Sequence, residues 1–497
     1  MADTQSISIL SLDVGTSSTR ALLFDNTGKA IPDMVSQLTY QLTTSSEGEV
    51  SVDADHLVDV VGQTIDEVLK KAGKLSAPIG AVAIDTFWHS LLGVDEHNQA
   101  LTPVITWEDT RAFGTARELR KQFDEKTVHD RVGVRFHASY WPAKLRWLAQ
   151  NQSQVFKRVK QWISFGEYLH RKLLGKSICS LSMASATGML AIKTRQWDPE
   201  LMKALEVQPE QLPKIGDFKD AIQGLQGDYA KRWPALNAVP WYAAIGDGAS
   251  ACIGTNCVAA KNWSLTMGTS SAIRVVVAPD RISAPPLGLW QYYIDEKRAV
   301  LGGAMSEGGN LLAWLTDSFK LPALADAEPL AAAVKPDSHG LTILPFLSGE
   351  RSIGWHAEAR MTISGLSNHS TPAEILRAGM EALAYRLSVI HGQLLKALDM
   401  KPADHHLMAS GGVLFHSHLL RQIVADTLDT TIYPSREQEA SARGVALLAL
   451  EALNAIPHVA SVEPVIKDAT QPNSNDGKIY RKAVARQDDL YQRLLAD

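Results

Sequence analysis

The chain has 497 residues, 45% hydrophobic and 21% charged, with a formal net charge of −5. That is the composition of a soluble globular protein of about two to four domains, and it argues against nucleic acid or an anionic membrane surface as the main partner. Three cysteines without metal-ligand spacing (Cys179, Cys252 and Cys257) exclude a disulfide framework. No signal-peptide pattern and no membrane-length apolar run is evident, so a reducing cytoplasm is the expected location.

The chain opens with an apolar run, Ser8 to Val14, the turn Gly15-Thr16-Ser17-Ser18, and a second run through Phe24. The turn Asp25-Asn26-Thr27-Gly28 and a third extended stretch follow. A helix is predicted over 55–71, with Leu57, Val58, Val61, Ile65, Val68 and Leu69 on one stripe. A β-branched run over 79–84 ends at Asp85. An insertion over about 110–240 holds Trp141, Trp147, Trp162, Trp197 and Trp233.

The second half repeats the order. Residues 263–267 lead into Gly268-Thr269-Ser270-Ser271, and 272–277 lead out. A strand over 299–301 and a helix over 372–398 come next, the helix signalled by Thr371 as N-cap, Pro372 at its first position and Glu374 three after the cap. A short strand over 406–408 meets Ser410-Gly411-Gly412, with another helix from near His418. Residues 468–476 read as a loop, and a last helix over 479–495, of mixed charge, reads as a surface element. The whole is an α/β chain with a duplicated βββαβ plan. It divides into 1–250 and 251–497.

A glycine with small hydroxyl residues at a hairpin tip makes a site for anionic oxygens, because successive N–H groups and hydroxyls point at one ligand. Two such tips suggest two lobes gripping one polyphosphate through Gly15, Thr16, Ser17, Ser18, Gly268, Thr269 and Ser270. Asp13, just before the first tip, makes sense as a Mg²⁺ ligand. In Ile245-Gly246-Asp247-Gly248, Asp247 could accept a substrate hydroxyl proton, its small neighbours letting the substrate approach. Phe87-Trp88-His89-Ser90 and Thr106-Trp107-Glu108-Asp109-Thr110-Arg111 gather rings and polar groups suited to a polyol. Gly411 and Gly412, between strand and helix, permit flat contact with a ring or a phosphate.

In this order the motifs resemble the FGGY family of carbohydrate kinases, over nearly the whole chain. Leu347-Ser348-Gly349-Glu350-Arg351 and Arg421 to Asp426 add to the likeness. The resemblance implies two ribonuclease-H-like lobes of the actin/hexokinase/Hsp70 ATPase type, with ATP, Mg²⁺ and a sugar in a deep cleft between them. It makes Asp247 the base, Asp13 the support of Mg²⁺, and Gly411 and Gly412 the lining of the adenosine site. Trp107 and Asp109 would contact the sugar, with His89 and Arg111 close by. Within the family, the stretches around His89, Thr106 to Arg111 and 182–198 are most similar to gluconate kinases. A substrate carboxylate asks for cationic or N–H donors, for which Arg111, His89, Lys144 and Arg20 are candidates. A pentulose or pentitol kinase, for xylulose or ribulose, is the alternative. A non-catalytic nucleotide-dependent sensor is a third reading, which would predict a lost base or substrate cluster. Phe87-Trp88 and residues 352–362 depart from the family pattern. For assembly, the frequency of dimers among soluble enzymes suggests a homodimer.

Overall fold

Two sheets built on one plan organise the computed structural model, which describes residues 7–73, 77–437, 439–463, 466 and 468–495. Strands β1 (Ser8–Val14), β2 (Ser18–Phe24) and β3 (Ala30–Thr39) form an antiparallel meander. Helix α1 (Ala54–Ala72) crosses to β4 (Ile79–Thr86), parallel to β1. An insertion that includes α2 (Trp141–Asn151) follows, and β5 (Ile245–Gly246) then pairs parallel with β4. The order is β5-β4-β1-β2-β3. Helix α3 (Asp247–Gly254) leads to the second sheet.

There β6 (Asn262–Met267), β7 (Ser271–Val277), β8 (Trp290–Tyr293) and β9 (Ala299–Met305) form the antiparallel part, with β8 at the edge. Helices α4 (Gly309–Ser318) and α5 (Pro372–Leu398) precede β10 (His406–Ser410). Helix α6 (His418–Leu428) leads to β11 (Ile432–Pro434), and β10 and β11 extend the sheet in parallel from β6. The order is β8-β9-β7-β6-β10-β11, the first sheet's plan plus one edge strand. Helices α7 (Ala440–Ala452) and α8 (Ser474–Leu495) complete the chain's described part. These are the two ribonuclease-H-like lobes that the family resemblance implied.

The helix signals operate as capping chemistry requires. Glu374 N–H donates to the Thr371 hydroxyl (3.3 Å) and Thr371 N–H to the Glu374 carboxylate (2.8 Å), closing a capping box on α5. Strand β1 is buried along its length, and its side chains alternate between two apolar layers. Leu10, Leu12 and Val14 join Leu57, Val61 and Ile65 of α1, whereas Ile9 joins Ala446 and Leu447 of α7. The Ser11 hydroxyl donates to the Ala442 carbonyl of α7 at 2.7 Å. Helix α7, from the second half of the chain, therefore returns to cover the first lobe's sheet.

On the way α7 crosses α3 at backbone contact. A Cβ on Gly254 would lie 1.8 Å from the Ala440 carbonyl oxygen, and one on Gly444 1.9 Å from that of Ser250. Residue 250 falls inside α3, so the passage between lobes is this helix crossing.

The C-terminal helix differs from its expected surface role. Helix α8 begins at Ser474 and buries Tyr480, Ala483, Gln487 and Tyr491. The reason is a polar anchor the mixed charge conceals: Arg377 donates to the Tyr480 hydroxyl (2.6 Å) and Tyr491 to Glu350 (2.8 Å). The three cysteines are free and buried. Among the described residues, no helix is long and apolar enough to cross a membrane.

Candidate active site

Strands β1, β4 and β5 run parallel side by side, so the residues that end them meet at one edge, where open α/β sheets bind ligands. Asp13 is in register with Asp85, and Asp85 with Ile245, two residues before Asp247. Asp85 is fully buried, and among the described residues neither carboxyl oxygen has a hydrogen-bond donor. Burial, then the nearby Asp13 carboxylate, raise its pKa well above the usual range. Asp247 opens α3, and its Oδ1 accepts from Gly248 N–H at 2.7 Å. Burial pushes its pKa up to about 6, against the opposing pull of that N–H and of Arg274. Asp13 faces Arg20 at 3.4 Å, and Arg20 also reaches Glu439 at 3.3 Å.

Asp13 and Asp85, side by side in register and one of them with unpartnered buried oxygens, are hard oxygen donors that suit a divalent cation such as Mg²⁺. Asp85 is the member the sequence reading passed over. It had registered only as the end of a strand, and its neighbours across the sheet were out of sight.

The two hydroxyl-rich turns differ in build. In the first, Gly15 N–H bonds the Ser18 carbonyl at 3.0 Å, and Tyr40 holds the turn from behind through its N–H to Ser17 (3.2 Å) and its hydroxyl to Gly15. In the second, Met267 pairs directly with Ser271, leaving a three-residue tip in which Gly268 N–H bonds Ser270 at 3.0 Å. Gly309 N–H, at the start of α4, donates to Gly268 at 2.7 Å. On the other side Gly411, at φ 94°, would push a Cβ to 2.3 Å from the Met267 carbonyl. The second turn is thus nested between two strand–Gly-Gly–helix junctions, Gly308-Gly309 and Gly411-Gly412. The first of these the sequence reading missed, although it carries the same signal. Thr16 and Ser17 of one lobe and Thr269 and Ser270 of the other line a single cleft of about 580 Å³, together with Trp107, Glu108 and Arg351.

The glycines beside Asp247 serve a purpose the sequence did not reveal. A Cβ on Gly246 would lie 1.8 Å from Trp88 Nε1, and one on Gly248 2.6 Å from the same ring. The space expected for substrate is filled by Trp88, whose ring packs with Tyr292 (4.9 Å) and Trp290 (6.4 Å) of the second lobe. The indole therefore stands beside Asp247 on the side its glycines leave open. The same interface carries the Tyr140–Tyr292 hydroxyl pair at 2.6 Å.

The polyol cluster divides into residues that face the cleft and residues that brace it. Trp107 and Glu108 line it. Asp109 is buried, accepting from Val50 N–H (3.1 Å) and pairing with Arg111 (2.7 Å), which also lies over the Trp147 ring at 4.5 Å. His89 donates from Nδ1 to the Ala186 carbonyl at 2.6 Å and lines a smaller cavity, of about 70 Å³, with Trp88, Arg274 and Arg351. Burial lowers its pKa to about 3, so its ring is neutral.

Lys144 on α2 is buried as well, donating to the carbonyls of His89 (2.7 Å) and Thr106 (2.8 Å). It ties the two halves of the cluster together rather than offering a charge to a ligand. Lys144→Met should lower unfolding free energy by roughly 2–4 kcal/mol by orphaning those carbonyls, as denaturant titration would measure. An unchanged midpoint would remove this bracing role.

The model of the FGGY family of carbohydrate kinases matches with its N-terminal domain over residues 8–254 and with its C-terminal domain over residues 263–453. The chain belongs to the FGGY family of carbohydrate kinases. Gluconokinase of Bacillus subtilis (strain 168) is 26% identical, the match covering 95% of this chain and 93% of that one. The solved gluconate kinase from Lactobacillus acidophilus superposes with a TM-score of 0.91 at 27% identity, covering 99% of both chains. The ligand-bound xylulose kinase from Lactobacillus acidophilus gives the same values: TM-score 0.91, 27% identity and 99% of both chains. The FGGY fold and sugar-kinase class follow from these matches, whereas the sugar is a matter of the pocket.

Proposed function

We propose that this FGGY kinase transfers the γ-phosphoryl group of ATP to a hydroxyl of a sugar acid, converting D-gluconate to 6-phosphogluconate. The observation that carries the reading is the single cleft lined by both hydroxyl-rich turns, the first of which follows Asp13 at the end of the strand row that also carries Asp85 and leads to Asp247. Gluconate kinases among its relatives support the choice of sugar.

In this reading Gly15, Thr16, Ser17 and Ser18 and the facing Gly268, Thr269 and Ser270 donate hydrogen bonds to the phosphates. Gly411 and Gly412 line the nucleoside end. Asp247 accepts the proton of the attacking hydroxyl as the new O–P bond forms and the bond to the β-phosphate oxygen breaks, releasing ADP. Asp13 and Asp85 would hold Mg²⁺, which supplies charge neutralisation on the phosphate oxygens when bound. Trp107 offers a ring face to the sugar's C–H groups, and closed lobes exclude water that would otherwise compete as nucleophile. A cytoplasmic location suits three free, buried thiols.

A pentulose kinase is the second reading, favoured by the equal match to a xylulose kinase structure. A coupled ADP-release assay over gluconate, xylulose, ribulose and glycerol separates the two. Gluconate should give a kcat/KM at least about tenfold above any neutral polyol, the discrimination one charged hydrogen bond supplies. Preference for xylulose would replace gluconate with the pentulose.

A further inference from the structure

The cations that the sequence offered for a substrate carboxylate are all engaged. Arg111 holds Asp109 and Glu49, Arg20 spans Asp13 and Glu439, Lys144 binds carbonyls, and His89 is neutral. Another cation, read in the sequence only as part of a strand, is not. Among the described residues Arg274 forms no ion pair, and its sole side-chain hydrogen bond runs from Nη1 to the neutral Thr266 hydroxyl at 3.2 Å. Its Nε is buried without an acceptor.

The sheet fixes its place. Arg274 stands at the middle of β7, opposite Ser264 of β6 on one side and Gly302 of β9 on the other. Both neighbours are small and leave room for a long side chain. Trp290 of β8, opposite Gly302 in turn, closes the row, its ring 2.8 Å from where a Cβ on Gly302 would stand. The centre of a strand paired on both sides is a rigid mount for a binding group.

Arg274 lines the cavity of about 70 Å³ but not the main cleft, whereas Ser270 and Arg351 border both. No carboxylate is among the residues that line this cavity. Trp88 and Trp290 line it as well, and the N–H groups of both indoles are buried without acceptors. His89 and Tyr292 are kept neutral, chiefly by burial. Positive charge and unanswered donors thus gather with no anion of the protein among them, an arrangement that makes sense when the anion arrives with a ligand. The volume exceeds several-fold the roughly 10–15 Å³ that one water needs, leaving room for a carboxylate.

The geometry points to Arg274 as the specificity-determining residue that receives the substrate's carboxylate in this cavity and so favours a sugar acid over its neutral counterpart. This rests on the sugar-acid reading above. The cavity meets the cleft at Ser270, in the second hydroxyl-rich turn, so a chain anchored at Arg274 extends its other end toward the phosphates. Because Trp88 comes from the first lobe and Arg274 from the second, the seat is complete only when the lobes meet.

Arg274 also lies near Asp247, whose pKa it helps to lower, and the test separates the two roles. Gluconate and gluconamide, its neutral isostere, are compared as substrates of wild type, Arg274→Gln and Arg274→Lys, with Tm recorded for each. Arg274→Gln should lower the acid-to-amide ratio of kcat/KM roughly 10- to 150-fold, the value of a charged hydrogen bond, chiefly through KM for the acid. Arg274→Lys should recover part of the ratio, since it restores charge without the fork. Where the Gln variant fails to fold, Arg274→Met is read in its place, since it leaves no polar atom among the indoles. An unchanged ratio overturns the assignment while leaving gluconate as the substrate. So does an equal fall in kcat on both substrates with the acid limb of the pH profile moved upward, which would make Arg274 a partner of the base instead. A wild type that turns over another sugar acid but not gluconate overturns only the choice of gluconate, and the ratio is then read on that acid and its amide. A wild type active only on neutral sugars overturns both.

Discussion

Asp247→Asn should lower kcat by roughly 10²- to 10⁴-fold, the span over which a positioned general base contributes. The amide keeps the carboxylate's shape and still accepts from Gly248 N–H, so nucleotide affinity, read by calorimetry, should stay within a few-fold. The pH profile gives a second check. With a pKa raised to about 6, Asp247 loses its accepting form as pH falls through that value. Wild-type kcat/KM should then decline about tenfold per pH unit below 6, and the residual activity of the variant should lack that limb. Turnover near wild type would remove Asp247 from the base role.

Gly444→Ala should be the most damaging small substitution for folding. The added methyl would fall 1.9 Å from a backbone carbonyl of α3, and a backbone cannot swing aside as a side chain can. Overpacking typically costs about 1–3 kcal/mol, and a clash with backbone lies at the upper end of that range, so soluble yield and Tm should both drop, and Gly254→Ala should behave alike. Gly268→Ala is the control: nothing lies within 4 Å of a Cβ there, so Tm should hold and only turnover should fall. A Gly444→Ala protein with wild-type Tm would show that the two helices can separate at no cost.

The signals that could be read in the sequence were local ones. Both strand–turn–strand units, the stripe of α1 and the capping box of α5 each depend on residues a few positions apart, and each stands where its pattern put it. What escaped depends on contacts across the sheet or between lobes. Asp85 gains its meaning only from lying in register with Asp13. The glycines around Asp247 look like room for a ligand until Trp88, more than 150 positions earlier in the chain, is seen against them. Asp109, which the family likeness places at the sugar with Arg111 close by, is paired with Arg111, a contact that no local pattern announces.

Helix α7 has a bearing on how the protein is made. The Ile9 face of β1 is covered by residues near Leu447, so the first lobe cannot finish its core while it alone has emerged from the ribosome. Some 400 residues of synthesis, about 20–80 s at typical elongation rates, separate that strand from its cover. Over this interval the nascent sheet exposes an apolar face, a natural client surface for a chaperone. Truncation ahead of α7 should leave that face open in the finished chain.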